Sequence, residues 1–306
     1  MNKRKQHILI ICGPTASGKT SFALQLAKEL PKANILSCDS RQAYQDLGII
    51  TGKDIPDDLS PKIKFFGLNI FKSDERSNLA DFVRYSQKII NDSRESNTPL
   101  IIVGGTGLYL KAITQNLSDI IIPPNQKLRQ KIEKLSVQKL QNLLQKENPQ
   151  KYSSLNHSDI MNPRRLIRAL EISAYSHRGT NSTKKNEALP IFHWIGILPD
   201  IDVIKKQIHQ RVAKRISAGS IDEVKQLLIN FPNNNLPIYT SLGVPQIIAL
   251  LEGKKTKKET IEDWTKAEID YARRQIVWFK KQPGIVWYDK SIDTHSVVTD
   301  LKKIYQ

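Results

Sequence analysis

The chain has 306 residues and a formal net charge of +17, the excess of 47 lysines and arginines over 30 aspartates and glutamates. This excess favours a polyanionic partner, either nucleic acid or an acidic membrane surface, and carries no information about the fold. The apolar runs fall far short of the roughly 20 residues that cross a bilayer, so the sequence predicts no transmembrane helix.

Five short apolar runs alternate with helix-like segments and predict the strands of a parallel sheet. They cover residues 7–12, 34–38, 64–70, 100–103 and 191–198. The alternation is typical of an α/β protein. Cys12 and Cys38 are the two cysteines of the chain, and they lie within two of these runs without Cys-x-x-Cys spacing. This argues against zinc or redox chemistry and favours a reducing cytoplasm.

A glycine-rich segment follows the first predicted strand and fits the phosphate-loop pattern G-x-x-x-x-G-K-[ST]. Its residues are Gly13, Pro14, Thr15, Ala16, Ser17, Gly18, Lys19 and Thr20. Apolar residues at helical spacing over 18–30 supply the helix that the motif requires after it. Backbone N–H groups and the helix amino end would hold phosphate oxygens, while Lys19 adds a charge and Thr20 a hydroxyl for Mg²⁺. The segment therefore predicts a site for a ligand with a diphosphate, the alternative being a plain strand-to-helix turn.

The phosphate loop alone leaves open whether a phosphoryl group is transferred, because P-loop kinases and ATPases share it. Such enzymes are expected to have a Walker-B aspartate, yet the strand at 100–103 runs into Gly104-Gly105-Thr106-Gly107, which weakens that hypothesis. Asp39 follows the strand at 34–38, where a parallel strand would end near the phosphate site. It could be a metal ligand, a general base or a helix N-cap.

No strand pattern occurs over 123–190, which predicts an inserted helical subdomain between core segments 1–122 and 191–306. Amphipathic helices are predicted at 128–144 and 163–175, and a polar loop at 179–187. The insertion holds 13 basic and 5 acidic residues, a local charge of +8 (13 − 5). Arg164, Arg165 and Arg168 share one face of the second helix, which could contact phosphates or be a solvated charged face. Further helices are predicted at 203–218, 221–230 and 261–281.

Several motifs, in order along the chain, resemble those of the tRNA dimethylallyltransferase family. Beside the phosphate loop they are 39–44 (DSRQAY), 48–53 (GIITGK), 104–109 (GGTGLY), 162–171 (NPRRLIRALE), Arg211 followed by Gly219 and Glu223, and 273–278 (RRQIVW). Two segments depart from the family pattern. The usual D-I-G-T-A-K-P is GIITGKD at 48–54, and the usual aromatic and basic residues after a glycine are Val244 and Pro245.

The resemblance implies a P-loop α/β core with an inserted helical domain, acting on the tRNA anticodon stem-loop. It implies that the phosphate loop holds dimethylallyl diphosphate, that Arg211 clamps the diphosphate and that no ATP need be hydrolysed. The implied target is the adenosine 3′-adjacent to the anticodon. The residues expected against the tRNA are Asp39, Ser40, Arg41, Gln42, Thr106, Arg129, Arg164, Arg165, Leu166, Ile167, Arg168, Arg273, Arg274 and Gln275. We expect Mg²⁺ as cofactor and a cytoplasmic monomer without membrane association.

The chemistry of such a transfer assigns roles to four residues. An adenine exocyclic amine is a poor nucleophile, so a positioned base must take its proton, and Asp39 is the candidate. Lys19, Arg211 and Mg²⁺ at Thr20 would stabilise the charge that develops on the departing pyrophosphate. The adenine must also be extruded from its stack. Four aromatic residues are expected to pack in the core rather than stack on bases, and these are Trp264, Trp278, Trp287 and Tyr271.

Three other functions are compatible with the phosphate loop. One is an adenylate isopentenyltransferase acting on free AMP, a second is a P-loop kinase of a small metabolite, and the third is a non-catalytic RNA-binding protein. The basic insertion and the basic segment 273–281 argue against the first of these, since free AMP needs no RNA-binding surface.

Overall fold

A parallel sheet is the framework of the protein. In the computed structural model the described residues are 6–56, 58–115, 118–176, 190–288, 298–299 and 302–304. The strands are β1 (His7–Cys12), β2 (Ala33–Ser37), β3 (Ile63–Phe66), β4 (Leu100–Gly104), β5 (Ile191–Ile197) and β6 (Ile285–Tyr288). Their order is β3-β2-β4-β1-β5-β6, and every pairing is parallel. The predicted α/β class is confirmed.

Helices account for most of the remaining described chain. They are α1 (Lys19–Lys28), α2 (Gly48–Thr51), α3 (Leu79–Glu95), α4 (Gly107–Thr114), α5 (Ser118–Ile121), α6 (Gln126–Ile132), α7 (Val137–Glu147), α8 (Pro149–Ser153), α9 (His157–Ile160), α10 (Pro163–Ser176), α11 (Ile201–Ser217), α12 (Ser220–Asn230), α13 (Val244–Leu251) and α14 (Lys257–Lys280), with a 3-10 helix at Pro237–Thr240. None of these helices combines the length and the apolar character that a membrane span requires.

β1 lies inside the sheet, between β4 and β5, and its side chains are buried on both faces. Leu9 and Ile11 belong to one core cluster, which they share with apolar side chains of α1. Ile8, Ile10 and Cys12 belong to another, which includes side chains of α3, α4 and α14. The loops after β1, β2 and β4 therefore meet at the carboxyl edge of the sheet, where parallel α/β proteins bind ligands.

The chain divides into two compact units. The first comprises Met1–Gln115 and Ala188–Gln306, and the second is Asn116–Glu187. The second unit begins before Pro123, where the sequence places the insertion, because α5 belongs to it: Lys151 Nζ donates to Asp119 Oδ2 at 3.0 Å. Leu140, Leu144 and Leu166 are fully buried in its small core. The polar loop predicted at 179–187 lies outside the described residues.

A second helical core lies within the first unit, where α11, α12, α13 and α14 pack together. Trp264 of α14 is fully buried in it. α14 has 24 residues and is about 36 Å long at 1.5 Å per residue. Its other end reaches the sheet, where Phe279 packs beneath β1 and β4. One helix thus connects the helical core with the carboxyl edge of the sheet.

Two predictions about individual elements are wrong, and one strand was not predicted. The helix predicted at 128–144 is two helices, because the Ser136 hydroxyl accepts the Lys139 N–H and starts α7 anew. The strand predicted at 64–70 ends at Phe66, since Gly67 adopts a φ of +88° with the Ser37 carbonyl against it. The edge strand β6 is absent from the predicted strands.

Candidate active site

The phosphate loop has a geometry that its two glycines make possible. Gly13 has a φ of +146°, and a Cβ there would lie 2.3 Å from the Ile197 carbonyl oxygen at the end of β5. Gly18 has a φ of +85° and is the N-cap of α1, with no side chain capping the first turn. The free N–H groups of this turn and its partial positive charge suit an anion. Ser17 is fully buried, and its hydroxyl has no hydrogen-bond partner among the described residues.

Lys19 is folded back over the loop. Its Nζ donates to the Pro14 carbonyl oxygen at 2.6 Å. Burial, with a smaller contribution from the neighbouring Arg211, lowers the pKa of Lys19 to about 8. The ammonium is therefore poorly compensated in the free protein and is ready to receive an anionic ligand.

The loop opens into a cavity of about 740 Å³ within the first unit. Its walls include the phosphate loop, the Asp39 segment, Gly104 and Gly105 after β4, two arginines of α11 and one face of α14. This volume falls in the range of small-molecule sites, roughly 300–1,000 Å³. The predicted catalytic residues Lys19, Thr20, Asp39 and Arg211 all line this one cavity.

Arg211 of α11 contacts the phosphate loop directly and is also paired with a carboxylate that the sequence does not single out. Its Nη2 donates to Thr15 Oγ1 at 2.8 Å and to Glu268 Oε2 at 2.6 Å. The other oxygen of Glu268 accepts from Arg215 Nη1 at 3.1 Å. Burial lowers the pKa of Arg215 to about 10, with Arg211 adding to the effect. Two guanidinium groups one helical turn apart are thus held by one carboxylate.

Asp39 caps the turn that follows β2. Its Oδ1 accepts the backbone N–H groups of Arg41 at 2.7 Å and Gln42 at 3.3 Å. Its Oδ2 has no hydrogen-bond partner among the described residues and lies in a residue that lines the cavity. Asp39 is therefore a cap through one oxygen, while the other oxygen is available to a ligand.

Two glutamines that the resemblance places against tRNA make their side-chain hydrogen bonds within the protein. Gln275 is 6% exposed, and its Oε1 accepts the Thr15 N–H while its Nε2 donates to the Gly105 carbonyl, both at 2.8 Å. Gln42 accepts from Ser37 Oγ and donates to the carbonyls of Thr51 and Gly52. Their side-chain polar atoms are occupied within the protein, so these residues position the loops.

Tyr271 is not simply a core residue, as the sequence predicts, but lines the cavity. Its hydroxyl hydrogen-bonds Thr106, and burial raises its pKa to about 12. Arg274 lies 5.8 Å above the Tyr271 ring and also lines the cavity.

Arg41 donates to the Pro237 carbonyl, and the Ser40 N–H points to Thr106 Oγ1 at 3.4 Å. Arg273 is exposed beside Asp270.

Trp264 is buried as predicted, and Trp278 packs against Gly107, where a Cβ would lie 2.2 Å from the indole ring. Trp287 of β6 packs against Gly196 in the same way. Val244, which replaces the usual aromatic residue, is fully buried at the start of α13. It therefore contributes packing rather than a contact to RNA.

The arginines of the second unit fall into two groups. Arg129 donates to both oxygens of the buried Glu171, and Arg168 donates to Glu171 and to the carbonyls of Asp119 and Ile122. Burial raises the pKa of Glu171, but its hydrogen bonds with Arg129 and the Asn125 N–H outweigh this and leave it lowered. Arg164 and Arg165 are exposed, and Arg165 pairs with Asp159. Two of the four predicted arginines therefore hold the unit together.

Two other predicted contacts in α10 are apolar. Leu166 is fully buried, so its side chain packs in the core of the second unit, and Ile167 packs at the edge of the same core. The motif carries both the exposed arginines and the leucine that anchors the helix beneath them.

The sequence predicts no functional role for Glu268 or Arg215, and it places Tyr271 in the core. A signal for Glu268 exists: α14 buries Thr260, Trp264, Glu268, Ala272, Gln275 and Phe279 along one face. A carboxylate and an amide on the apolar face of a helix require partners there, because unpaired polar groups are costly to bury.

The fold and the cavity define a P-loop α/β protein whose phosphate loop opens into a basic site. The family model described as IPP transferase matches residues 42–282. The tRNA dimethylallyltransferases of Prochlorococcus marinus and Gloeothece citriformis are each 32% identical to the chain, over 94% and 93% of it and 94% and 92% of their own lengths. The crystal structure of the tRNA isopentenylpyrophosphate transferase of Bacillus halodurans matches with a TM-score of 0.72 at 26% identity, covering 98% of this chain and 97% of the other.

The chain belongs to the IPP transferase family, and it is a transferase. The family membership that its motifs predict is confirmed. The matched range begins at Gln42, three residues after Asp39, and includes α11 and α14.

Proposed function

We propose that the protein transfers a dimethylallyl group from dimethylallyl diphosphate to the exocyclic amine of the adenosine 3′-adjacent to the anticodon in tRNA. The observation that carries the proposal is that the phosphate loop, the cations of Lys19 and Arg211, and the carboxylate of Asp39 line a single cavity. The names of the relatives, tRNA dimethylallyltransferases, support the choice of substrates.

The diphosphate would bind at the phosphate loop. A diphosphate would supply partners to the N–H groups at the start of α1 and to the Ser17 hydroxyl, which have no side-chain partner among the described residues, and it would add an anion beside Lys19 and Arg211. The Nε of Arg211 is likewise buried without a partner among the described residues. These donors would stabilise the negative charge that grows on the pyrophosphate as the carbon–oxygen bond breaks.

Asp39 would act as the base. The amine nitrogen forms a bond to the allylic carbon, the pyrophosphate leaves with the electron pair of the broken bond, and Oδ2 of Asp39 takes the amine proton. Its other oxygen is fixed by the N–H groups of Arg41 and Gln42, so the carboxylate has a set orientation. Lys19 and Arg211 keep the leaving group bound and away from water.

Mg²⁺ fits the oxygen donors of this cavity. Thr20 is exposed at the start of α1 and offers a hydroxyl oxygen in this cavity. The described residues include no group of three or more His, Cys, Asp or Glu that could hold a metal. This suits Mg²⁺, which commonly binds one or two protein oxygens together with substrate phosphates. When bound, the ion would neutralise charge on the departing pyrophosphate.

Arg164 and Arg165 of the second unit, and Arg273 and Arg274 of α14, would contact the phosphates of the anticodon stem-loop. All four are exposed and stand on regular helices. We further propose that the protein acts as a monomer in the cytoplasm, the compartment of its tRNA substrate.

A transfer assay tests the proposed function directly. Purified protein is incubated with labelled dimethylallyl diphosphate and Mg²⁺, together with tRNA, with AMP or with ATP alone. Label should appear in tRNA at the adenosine next to the anticodon, and in neither nucleotide. Label in AMP would identify an adenylate isopentenyltransferase, and phosphate release from ATP without prenyl transfer would identify a kinase or ATPase.

A further inference from the structure

Glu268 is a buried carboxylate whose two oxygens face three donors. Oε2 accepts from Arg211 Nη2 at 2.6 Å, and Oε1 accepts from Arg215 Nη1 at 3.1 Å and from Trp264 Nε1 at 3.3 Å. Glu268 is 4% exposed, and Trp264 is fully buried. These three donors therefore hold the Glu268 carboxylate in place on the buried face of α14.

Arg211 is held between this carboxylate and the phosphate loop. The same Nη2 that donates to Glu268 also donates to Thr15 Oγ1 at 2.8 Å, which uses both of its hydrogens. A guanidinium is planar, so fixing one nitrogen from two sides restricts the directions in which the others point. The direction of Arg211 thus depends on Glu268.

Arg215 requires the same carboxylate. It lies one helical turn after Arg211 on α11 and is largely buried. Room for it comes from Gly52, where a Cβ would lie 2.2 Å from Arg215 Nη2. Without an anion between them, the two guanidinium groups would repel each other, and Arg211 would move away from Arg215.

We propose that Glu268 is a positioning residue, which pairs Arg211 with Arg215 and aims Arg211 at the diphosphate bound by the phosphate loop. The proposal rests on the proposed function, because the diphosphate is the ligand of that site. Glu268 acts through Arg211, which is thereby oriented before the ligand arrives, and preorganised donors stabilise a developing charge without reorganising.

The test is a double-mutant cycle with Glu268→Gln and Arg211→Ala. Glutamine has the shape of glutamate and keeps one acceptor for Arg215 and Trp264, but its amide nitrogen cannot accept from Arg211. We expect the single-turnover rate on tRNA to fall about tenfold in Glu268→Gln with an unchanged Michaelis constant for tRNA. In the Arg211→Ala background, the same change should cause no further loss, because the residue that it positions is gone.

Calorimetric titration with inorganic pyrophosphate separates this proposal from the proposed function, because it needs neither tRNA nor transfer. Glu268→Gln should weaken pyrophosphate binding when Arg211 is present. The factor by which it raises the dissociation constant should be at least three times larger in that background than in the Arg211→Ala background. Equal effects in the two backgrounds would overturn the proposal, even if prenyl transfer is observed. Failure of prenyl transfer with unequal effects would instead overturn the proposed function alone.

Glu268→Asp is the second variant, in case the glutamine variant does not fold. Aspartate keeps the negative charge, but its side chain is one methylene shorter. Its carboxylate can therefore contact one of the two arginines but cannot hold both as glutamate does. An intermediate loss of rate that also disappears in the Arg211→Ala background supports the proposal. A rate equal to that of the unmodified protein refutes it.

Discussion

At the scale of single residues, Asp39 has two oxygens with two different surroundings. Oδ1 is occupied by the backbone of Arg41 and Gln42, and this is the N-cap type of contact that the sequence left as one alternative. Oδ2 is the atom on which the proposed chemistry depends. A single substitution can separate the two roles, because asparagine caps a turn nearly as well as aspartate.

Asp39→Asn should lower the single-turnover rate by roughly 10² or more, the scale of losing a general base. Binding of pyrophosphate and of tRNA should change little, because the cap survives in the amide oxygen. Rapid-quench measurement of prenyl transfer gives the rate, and unfolding in urea verifies that the fold is retained. Near-normal turnover would leave Asp39 as a cap alone, and recovery at high Mg²⁺ concentration would identify it as a metal ligand.

Pyrophosphate binding should weaken as the pH rises through about 8, because burial lowers the pKa of Lys19 to about 8. The protonated ammonium attracts the anion, and the neutral amine that forms above this pH does not. Calorimetric titration between pH 7 and pH 9 measures the effect. Lys19→Ala is the matched control, since pyrophosphate itself titrates in this range. Identical pH profiles for the two proteins would remove Lys19 from the explanation.

At the scale of elements, α14 carries the polar residues that organise the cavity. Glu268, Tyr271 and Gln275 lie at i, i+3 and i+7 and project from one face. Glu268 fixes the arginines of α11, while Gln275 ties the phosphate loop to the loop after β4. A helix late in the chain therefore sets the geometry of loops that occur near its beginning.

Gln275→Ala should reduce the free energy of unfolding by about 1–3 kcal/mol, because it leaves the Thr15 N–H and the Gly105 carbonyl without partners. Urea unfolding measures the loss, and Arg274→Ala is the control, since it changes the adjacent exposed residue. Stability within about 0.5 kcal/mol of the unmodified protein, joined with weaker tRNA binding, would restore Gln275 as an RNA contact.

The sequence predicts those elements whose pattern is local. β1 and the phosphate loop are one continuous segment, and α10 and α12 have clear amphipathic spacing with recognisable starts. The break at Ser136 is a local N-cap, which attention to Ser136 as a capping residue could have found. The short edge strand β6 was missed because it depends on β5 elsewhere in the fold. The same is true of the site. Thr15 and Gln275 are 260 residues apart, and no spacing rule connects them.

At the scale of the whole molecule, the charge of +17 favours a polyanionic partner such as RNA. The structure divides the basic residues by role. Arg129 and Arg168 form ion pairs with the buried Glu171, whereas Arg164 and Arg165 are exposed on the same unit. Formal charge alone therefore overstates the number of cations available to phosphates.

The double variant Arg164→Ala with Arg165→Ala should raise the Michaelis constant for tRNA while leaving that for dimethylallyl diphosphate unchanged. Each lost phosphate contact should reduce the log–log salt slope of tRNA binding by about 0.7–0.9. Filter binding between 50 and 300 mM salt measures the slope. Arg168→Ala is the contrasting variant, and it should lower thermal stability because Glu171 and two carbonyls lose a partner. An unchanged slope in the double variant would exclude these arginines from RNA binding.

The position of β1 inside the sheet has a consequence for biogenesis. One of its edges pairs with β5, and His7 and Ile191 are register partners separated by 184 positions (191 − 7). At about 5–20 residues per second, a ribosome needs roughly 10–40 s to synthesise that interval. During this time the nascent chain has an apolar strand with one open edge, and Gly13 lacks the carbonyl of Ile197 that confines it. The phosphate loop is synthesised before the second unit, yet its surroundings are completed only after the whole second unit has been synthesised. We therefore expect newly made chains to depend on chaperones that cover exposed strand edges.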